Sequence, residues 1–150
     1  SAEAIRRGAD RAGQYLAALR DNGVAFDETL LAETGGSFAM EDAYATVSRL
    51  VQTGKDFTAL FTISDTMAMA ALKALTDHGR QVPRDCSVIA IDGLSMSEYL
   101  VPTLTTMVQP AEEMGRQAVA ILLDMLSGGS RQRHVRLEAT LRRGGSVRPL

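Results

Sequence analysis

Apolar residues recur along this 150-residue chain with two periods, and the alternation of the two predicts its elements. In SAEAIRRGADRAGQYLAALRDNG, Ile5, Ala9, Ala12, Leu16 and Leu19 recur at spacings of four and three, one face of a helix that Gly23 stops. LLAET (30–34) is short enough for a strand, and Gly35-Gly36-Ser37 breaks it. MEDAYATVSRLVQTG sets Ala43, Val47, Leu50 and Val51 on one helical side, with Gly54 as its end. TALFTI (58–63) reads as a strand buried on both faces. Ser64 or Asp65 opens the next helix, TMAMAALKALTDHG, which closes at Gly79. Val82-Pro83 turns the chain into SVIAI (87–91), a second doubly buried strand.

Helix and strand thus alternate, which means parallel strands joined by crossover helices: an α/β fold with a parallel sheet and flanking helices. After Thr105–Val108 the pattern changes. PAEEMGRQAVAILLDMLSGG is a helix with Pro110 at its first turn and two glutamates at its positive end. HVRLEATLR (134–142) alternates strictly and predicts a half-exposed strand, with Val135, Leu137, Ala139 and Leu141 on one side. The expected division is 1–108 for the sheet-forming lobe and 109–150 for a further helix and strand. An amphipathic helix with no strand before it leads us to expect a piece of a longer protein.

Composition changes this picture little. Apolar residues make up 45% and charged residues 23%, ordinary values for a globular domain. The formal net charge of −2 gives no electrostatic reason to grip nucleic acid or an acidic membrane. A lone cysteine, Cys86, forms no internal disulfide and fits a cytoplasmic location. No stretch has the length of a membrane span. Neither metal-ligand spacing nor a glycine-rich phosphate loop is present, so no metal or cofactor is expected and an enzyme is a poor reading.

Candidate chemistry follows from the position of the strands. In open α/β sheets ligands bind beyond the carboxyl ends of the strands. LLAET leads to Phe38, TALFTI ends on Ser64 and Asp65, and SVIAI ends on Asp92, so these four are expected at one rim. A carboxylate there can accept two hydroxyls, and an aromatic ring can stack on a sugar or base. Helix capping accounts equally well for Ser64 and Asp65, and turn formation for Asp92. The loop Gly93–Pro102 is too apolar for a solvated connection. With Met67 and Met69 it forms a patch of Leu94, Met96, Tyr99 and Leu100, for which a homodimer is the simplest partner.

Two stretches, LFTISDTMAMAALKALTDHGRQVPRDCSVIAIDG and LTTMVQPAEEMGRQAVAILLDML, resemble the effector-binding domain of the lactose/galactose-repressor family of bacterial transcription regulators. The matching features are a small-polar-Asp pair opening a helix, a Gly-x-x-Val-Pro-x-Asp turn, a Val-Ile-x-x-Asp strand, Leu-Thr-Thr, and Gln-Pro near a Met-Gly helix. The resemblance implies a two-lobed, periplasmic-binding-protein-like fold, of which this chain is mainly the second lobe without its first strand. Its last helix and strand would cross from the first lobe. It implies a sugar or nucleobase effector held by Arg11, Phe38, Ser64, Asp92 and Gln109. Operator DNA would be bound only through a helix-turn-helix outside this chain. Gln14 and Ile91-Asp92-Gly93 depart from the family's usual glycine and aromatic-Asp-Asp. A transport protein that binds sugars on the same fold is the alternative.

Overall fold

Helix α1 is described over residues 13–21, and the computed structural model as a whole describes residues 13–129 and 134–149. Arg11, Ile5, Ala9 and Ala12 lie outside them. A short 3-10 turn, Glu28–Leu30, follows, capped by the Asp27 carboxylate on Thr29 N at 2.8 Å. Then come α2 (Met40–Gln52), β1 (Ala59–Phe61), α3 (Asp65–Asp77), β2 (Ser87–Asp92), a second 3-10 turn (Ser95–Tyr99), β3 (Thr105–Val108), α4 (Ala111–Leu126) and β4 (Thr140–Arg142). One sheet has the order β1-β2-β3-β4, with β1, β2 and β3 parallel and β4 antiparallel to β3. The parallel sheet with crossover helices is as the alternation predicted.

The core lies between one face of this sheet and helices α2 and α3. Val88 and Ala90 of β2 point into it, with Val47, Leu50, Ala71 and Leu75 from the helices. Four alanines of α3 (68, 70, 71 and 74) are almost fully buried, and side chains that small let the helix lie close against α2 and the sheet. Burial of this set supplies the main driving force for folding, at about 25 cal/mol for each Å² of apolar surface removed from water. Pairing of Leu60 with Val88 and of Phe61 with Ile89 puts Phe61 on the opposite face, where the Tyr15 ring of α1 stacks on it, 5.6 Å between centroids and 7° from parallel.

The chain after β4 closes the amino-terminal end of the strands. The buried Ser146 hydroxyl donates to Val88 O at 2.6 Å and accepts from Thr105 N at 2.8 Å, while Ser146 O accepts from Val88 N. Ser146 therefore bridges β2 and β3 before their own ladder begins at Ile89 and Thr105.

Four expectations need correction. LLAET is not a strand: apart from the 3-10 end at Leu30 it has no regular structure, since among the described residues no strand pairs with it. TALFTI forms a strand only over Ala59–Phe61 and is not buried on both faces, because β1 is the sheet edge. In SVIAI, Val88 and Ala90 are buried but the alternate residues are only half-buried. Of HVRLEATLR only Thr140–Arg142 is strand, because only these residues reach β3, and Val135 and Leu141 stay about half exposed.

Candidate functional site

Three parallel strands bring their carboxyl ends together and position the polar residues that follow. Asp92 is the last residue of β2, Gln109 is the first after β3, and Ser64 lies three beyond β1. Registering Asp92 opposite Val108 sets Gln109 beside the carboxylate. Gln109 Nε2 donates to Asp92 Oδ1 at 2.6 Å, and Gln109 N donates to Asp92 O at 3.1 Å. Asp92 has φ 137°, a conformation side chains rarely adopt, and strain of this sort gathers at functional sites. Gly93 follows with φ 79°, and a Cβ there would lie 2.6 Å from Val108 Cα, so the turn closes tightly on β3. The result is a half-buried carboxylate at the sheet's end, oriented by an amide and backed by rigid backbone.

Ser64 is buried, and its Oγ caps α3 by accepting from Met67 N at 3.1 Å. Asp65 does not belong to the rim. It is fully buried and points inward, where its carboxylate accepts from the Thr106 hydroxyl and, at 2.7 Å, from Leu94 N. The sequence marked Asp65 as a helix-opening residue. Its role as a tie between α3, β3 and the 94–99 turn was not foreseeable there, since both partners are distant in sequence.

Phe38 is 40% exposed and lines a cleft of about 500 Å³ that Phe61, Thr62 and Ile63, at and beyond the carboxyl end of β1, also line. Leu31, Phe38 and Phe61 line this cleft, together with Val47 and Leu50 of α2 and Tyr15 of α1. Ser64, Asp92 and Gln109 do not line it. The structure therefore brings Asp92 and Gln109 into contact, sets Ser64 at a neighbouring strand end, and places Phe38 in the cleft that Thr62, Ile63 and Met67 share. Sequence patterning missed this cleft because it took LLAET, which lines it, as a strand.

Met67 and Met69 are half-buried, and Leu94, Met96, Tyr99 and Leu100 lie in and after the turn beyond Asp92. Tyr99 is 87% and Met96 65% exposed. Arg142 of β4 fixes the turn by donating to Leu94 O at 2.9 Å, to Ser97 Oγ and to Glu98. Among the described residues no cluster of three or more His, Cys, Asp or Glu could hold a metal ion, and no helix is long and apolar enough to cross a membrane.

The family model of the periplasmic binding protein-like domain matches residues 4–147. The regulator MalR of Clostridium butyricum is 36% identical over 127 residues, covering 85% of this chain and 37% of that protein. The repressor CytR of Escherichia coli is 36% identical over 139 residues, covering 91% of this chain and 40% of that one. Among solved structures, a complex of the transcriptional regulator CelR with cellobiose superposes with a TM-score of 0.86 at 34% identity, covering 93% of this chain and 42% of CelR. The chain thus spans about two fifths of the relatives it matches, and those relatives are transcription regulators rather than transport proteins or enzymes. With this match running nearly end to end, the chain belongs to the periplasmic binding protein-like domain family, in the form that lactose-repressor-type regulators carry as their effector-binding domain.

Proposed function

We propose that this chain is the effector-sensing and dimerising part of a bacterial transcription regulator that binds a small polyhydroxylated ligand. The observation that carries the reading is the Asp92–Gln109 pair: a carboxylate in strained backbone, held by an amide, at the carboxyl ends of parallel strands. A carboxylate so oriented accepts vicinal hydroxyls without first having to be ordered, which is how a sensor gains selectivity for a sugar. CelR with cellobiose supports a sugar as the ligand class. Arg11, Phe38 and Ser64 complete the proposed set. Met67, Met69, Leu94, Met96, Tyr99 and Leu100 would form the homodimer surface. Operator binding would belong to a helix-turn-helix elsewhere in a longer cytoplasmic protein, and this chain alone would bind effector weakly.

The test is calorimetric titration of a sugar and nucleoside panel against the full-length regulator, as wild type and as Asp92→Ala. Loss of the carboxylate should cost about 1.5–3 kcal/mol, some ten- to a hundredfold in affinity. Equal binding by a folded mutant would make Asp92 a turn former only. Micromolar binding by the 150-residue chain itself would show that the second half of the cleft is dispensable.

A further inference from the structure

A φ of 137° at Asp92 persists only where the surroundings hold the residue in it. Three of these holds are local. β2 pairs with β3 as far as Asp92 and Val108, Gly93 lies too close to Val108 to admit a Cβ, and Gln109 N donates to Asp92 O at 3.1 Å. They fix the chain up to the peptide between Asp92 and Gly93. The next peptide, between Gly93 and Leu94, is fixed by a residue 29 positions earlier: Leu94 N donates to Asp65 Oδ2 at 2.7 Å. Arg142 then holds Leu94 O at 2.9 Å, so the turn is secured on both sides of Leu94.

Asp65 joins this turn to the strand that delivers Gln109. It is the first residue of α3 and fully buried, and the positive end of the helix favours its charge there. Its other oxygen, Oδ1, accepts from the hydroxyl of Thr106, which lies in β3 shortly before Gln109. One carboxylate therefore grips both the turn leaving Asp92 and the strand leading to Gln109, the two halves of the contact at the rim. Without the bond to Asp65 the Gly93–Leu94 peptide is free to turn, and Asp92 can relax towards an extended φ. Rotation about its N–Cα bond then swings the carboxylate away from Gln109 Nε2.

We propose that Asp65 is a positioning residue of the effector site. Itself buried away from any ligand, it holds Asp92 in its binding conformation and in contact with Gln109, acting through Leu94 N and the Thr106 hydroxyl. The proposal rests on the reading of Asp92 as the effector carboxylate.

Heteronuclear NMR of the 150-residue chain reads the contact directly, because the Gln109 side-chain amide, assigned by its loss in Gln109→Leu, donates to Asp92. In Asp65→Ala its resonance is expected to move to where Asp92→Ala puts it, while the α3 amide pattern persists. Asp65→Asn, which accepts from Leu94 N and donates to Thr106 Oγ1, should keep the wild-type resonance. Leu75→Ala, a core variant, should keep it too, which separates positioning from loss of stability. If Asp65→Ala does not fold, Thr106→Val takes its place, cutting Asp65 from β3 by removing one hydroxyl, with a shift in the same direction expected. In the full-length regulator, the sugar of the calorimetric panel that depends on Asp92 should bind Asp65→Ala about tenfold or more weakly, since fewer molecules hold Asp92 ready. In the Asp92→Ala background the same change should cost nothing further. An unmoved Gln109 resonance in the folded variant, an equal shift in Leu75→Ala or Asp65→Asn, or an additive loss in the double mutant overturns the proposal. A panel with no Asp92-dependent sugar overturns the effector reading instead, and the Gln109 resonance still decides whether Asp65 positions Asp92.

Discussion

Asp65 is the residue on which three elements depend. Asp65 is fully buried, and its carboxylate satisfies the buried Thr106 hydroxyl and the part-buried Leu94 amide. Asp65→Ala leaves both donors unmet, so urea denaturation should register a loss of about 2–4 kcal/mol. Asp65→Asn should cost less, since the Thr106 hydroxyl can rotate to accept from the amide. Cys86 illustrates burial of a different sort. It has no exposed surface, and burial pushes its thiol up to about 11, so almost no thiolate exists at neutral pH. A disulfide reagent at pH 8 should leave Cys86 unmodified in the native chain and react fully in urea; fast reaction in native buffer would contradict its placement in the core.

Elements were legible in the sequence where a single helix or strand buries its own pattern. The stretch for α2 stood out because Ala43, Val47, Leu50 and Val51 recur at helical spacing, that for α3 because Ser64 or Asp65 opens it and Gly79 closes it, and the end of β2 because the apolar run stops at Asp92. Residues 30–34 and 134–139 misled because strand identity depends on a neighbour, and no local pattern reveals that they pair with no strand among the described residues. The contact of Asp92 with Gln109 was likewise hidden, since it follows from the register of β2 on β3. The turn leaving β2 can be tested through two glycines with nearly the same φ, Gly93 at 79° and Gly79 at 76°. An added methyl meets open space at Gly79 but Val108 at Gly93. Gly79→Ala should cost about 1–2 kcal/mol from backbone strain alone. Gly93→Ala should cost about 1–3 kcal/mol more from overpacking. Equal midpoints in thermal unfolding would mean that the turn has room to yield.

Across the whole molecule, stability is unevenly placed. The α2–α3 layer is packed, whereas α4 buries none of its residues and exposes Val119, Leu122, Leu123 and Leu126 by more than half. Its helix is held by local pairs such as Arg116 with Glu112 at 2.7 Å. Exposed pairs of this kind contribute about 0.3–0.5 kcal/mol each. Leu75→Ala, in the core, should lower stability by about 2–5 kcal/mol, and Leu122→Glu by no more than about 0.5 kcal/mol. Native-state hydrogen exchange should find the α4 amides opening well below the global unfolding energy and those of α3 at it. Ser146 has the opposite character. It lies 58 residues from Val88 and 41 from Thr105, yet it joins β2 to β3 at their first rung. A chain emerging from the ribosome can make its helices and pair β2 with β3 through their own ladder early, but the bridge at the amino-terminal end of that pair waits until residue 146 has been synthesised. Production of the protein therefore passes through an interval in which α2 and α3 are complete and the sheet beneath them is not. During that interval a chaperone, or another nascent chain, has its best access to the apolar faces of β2 and β3.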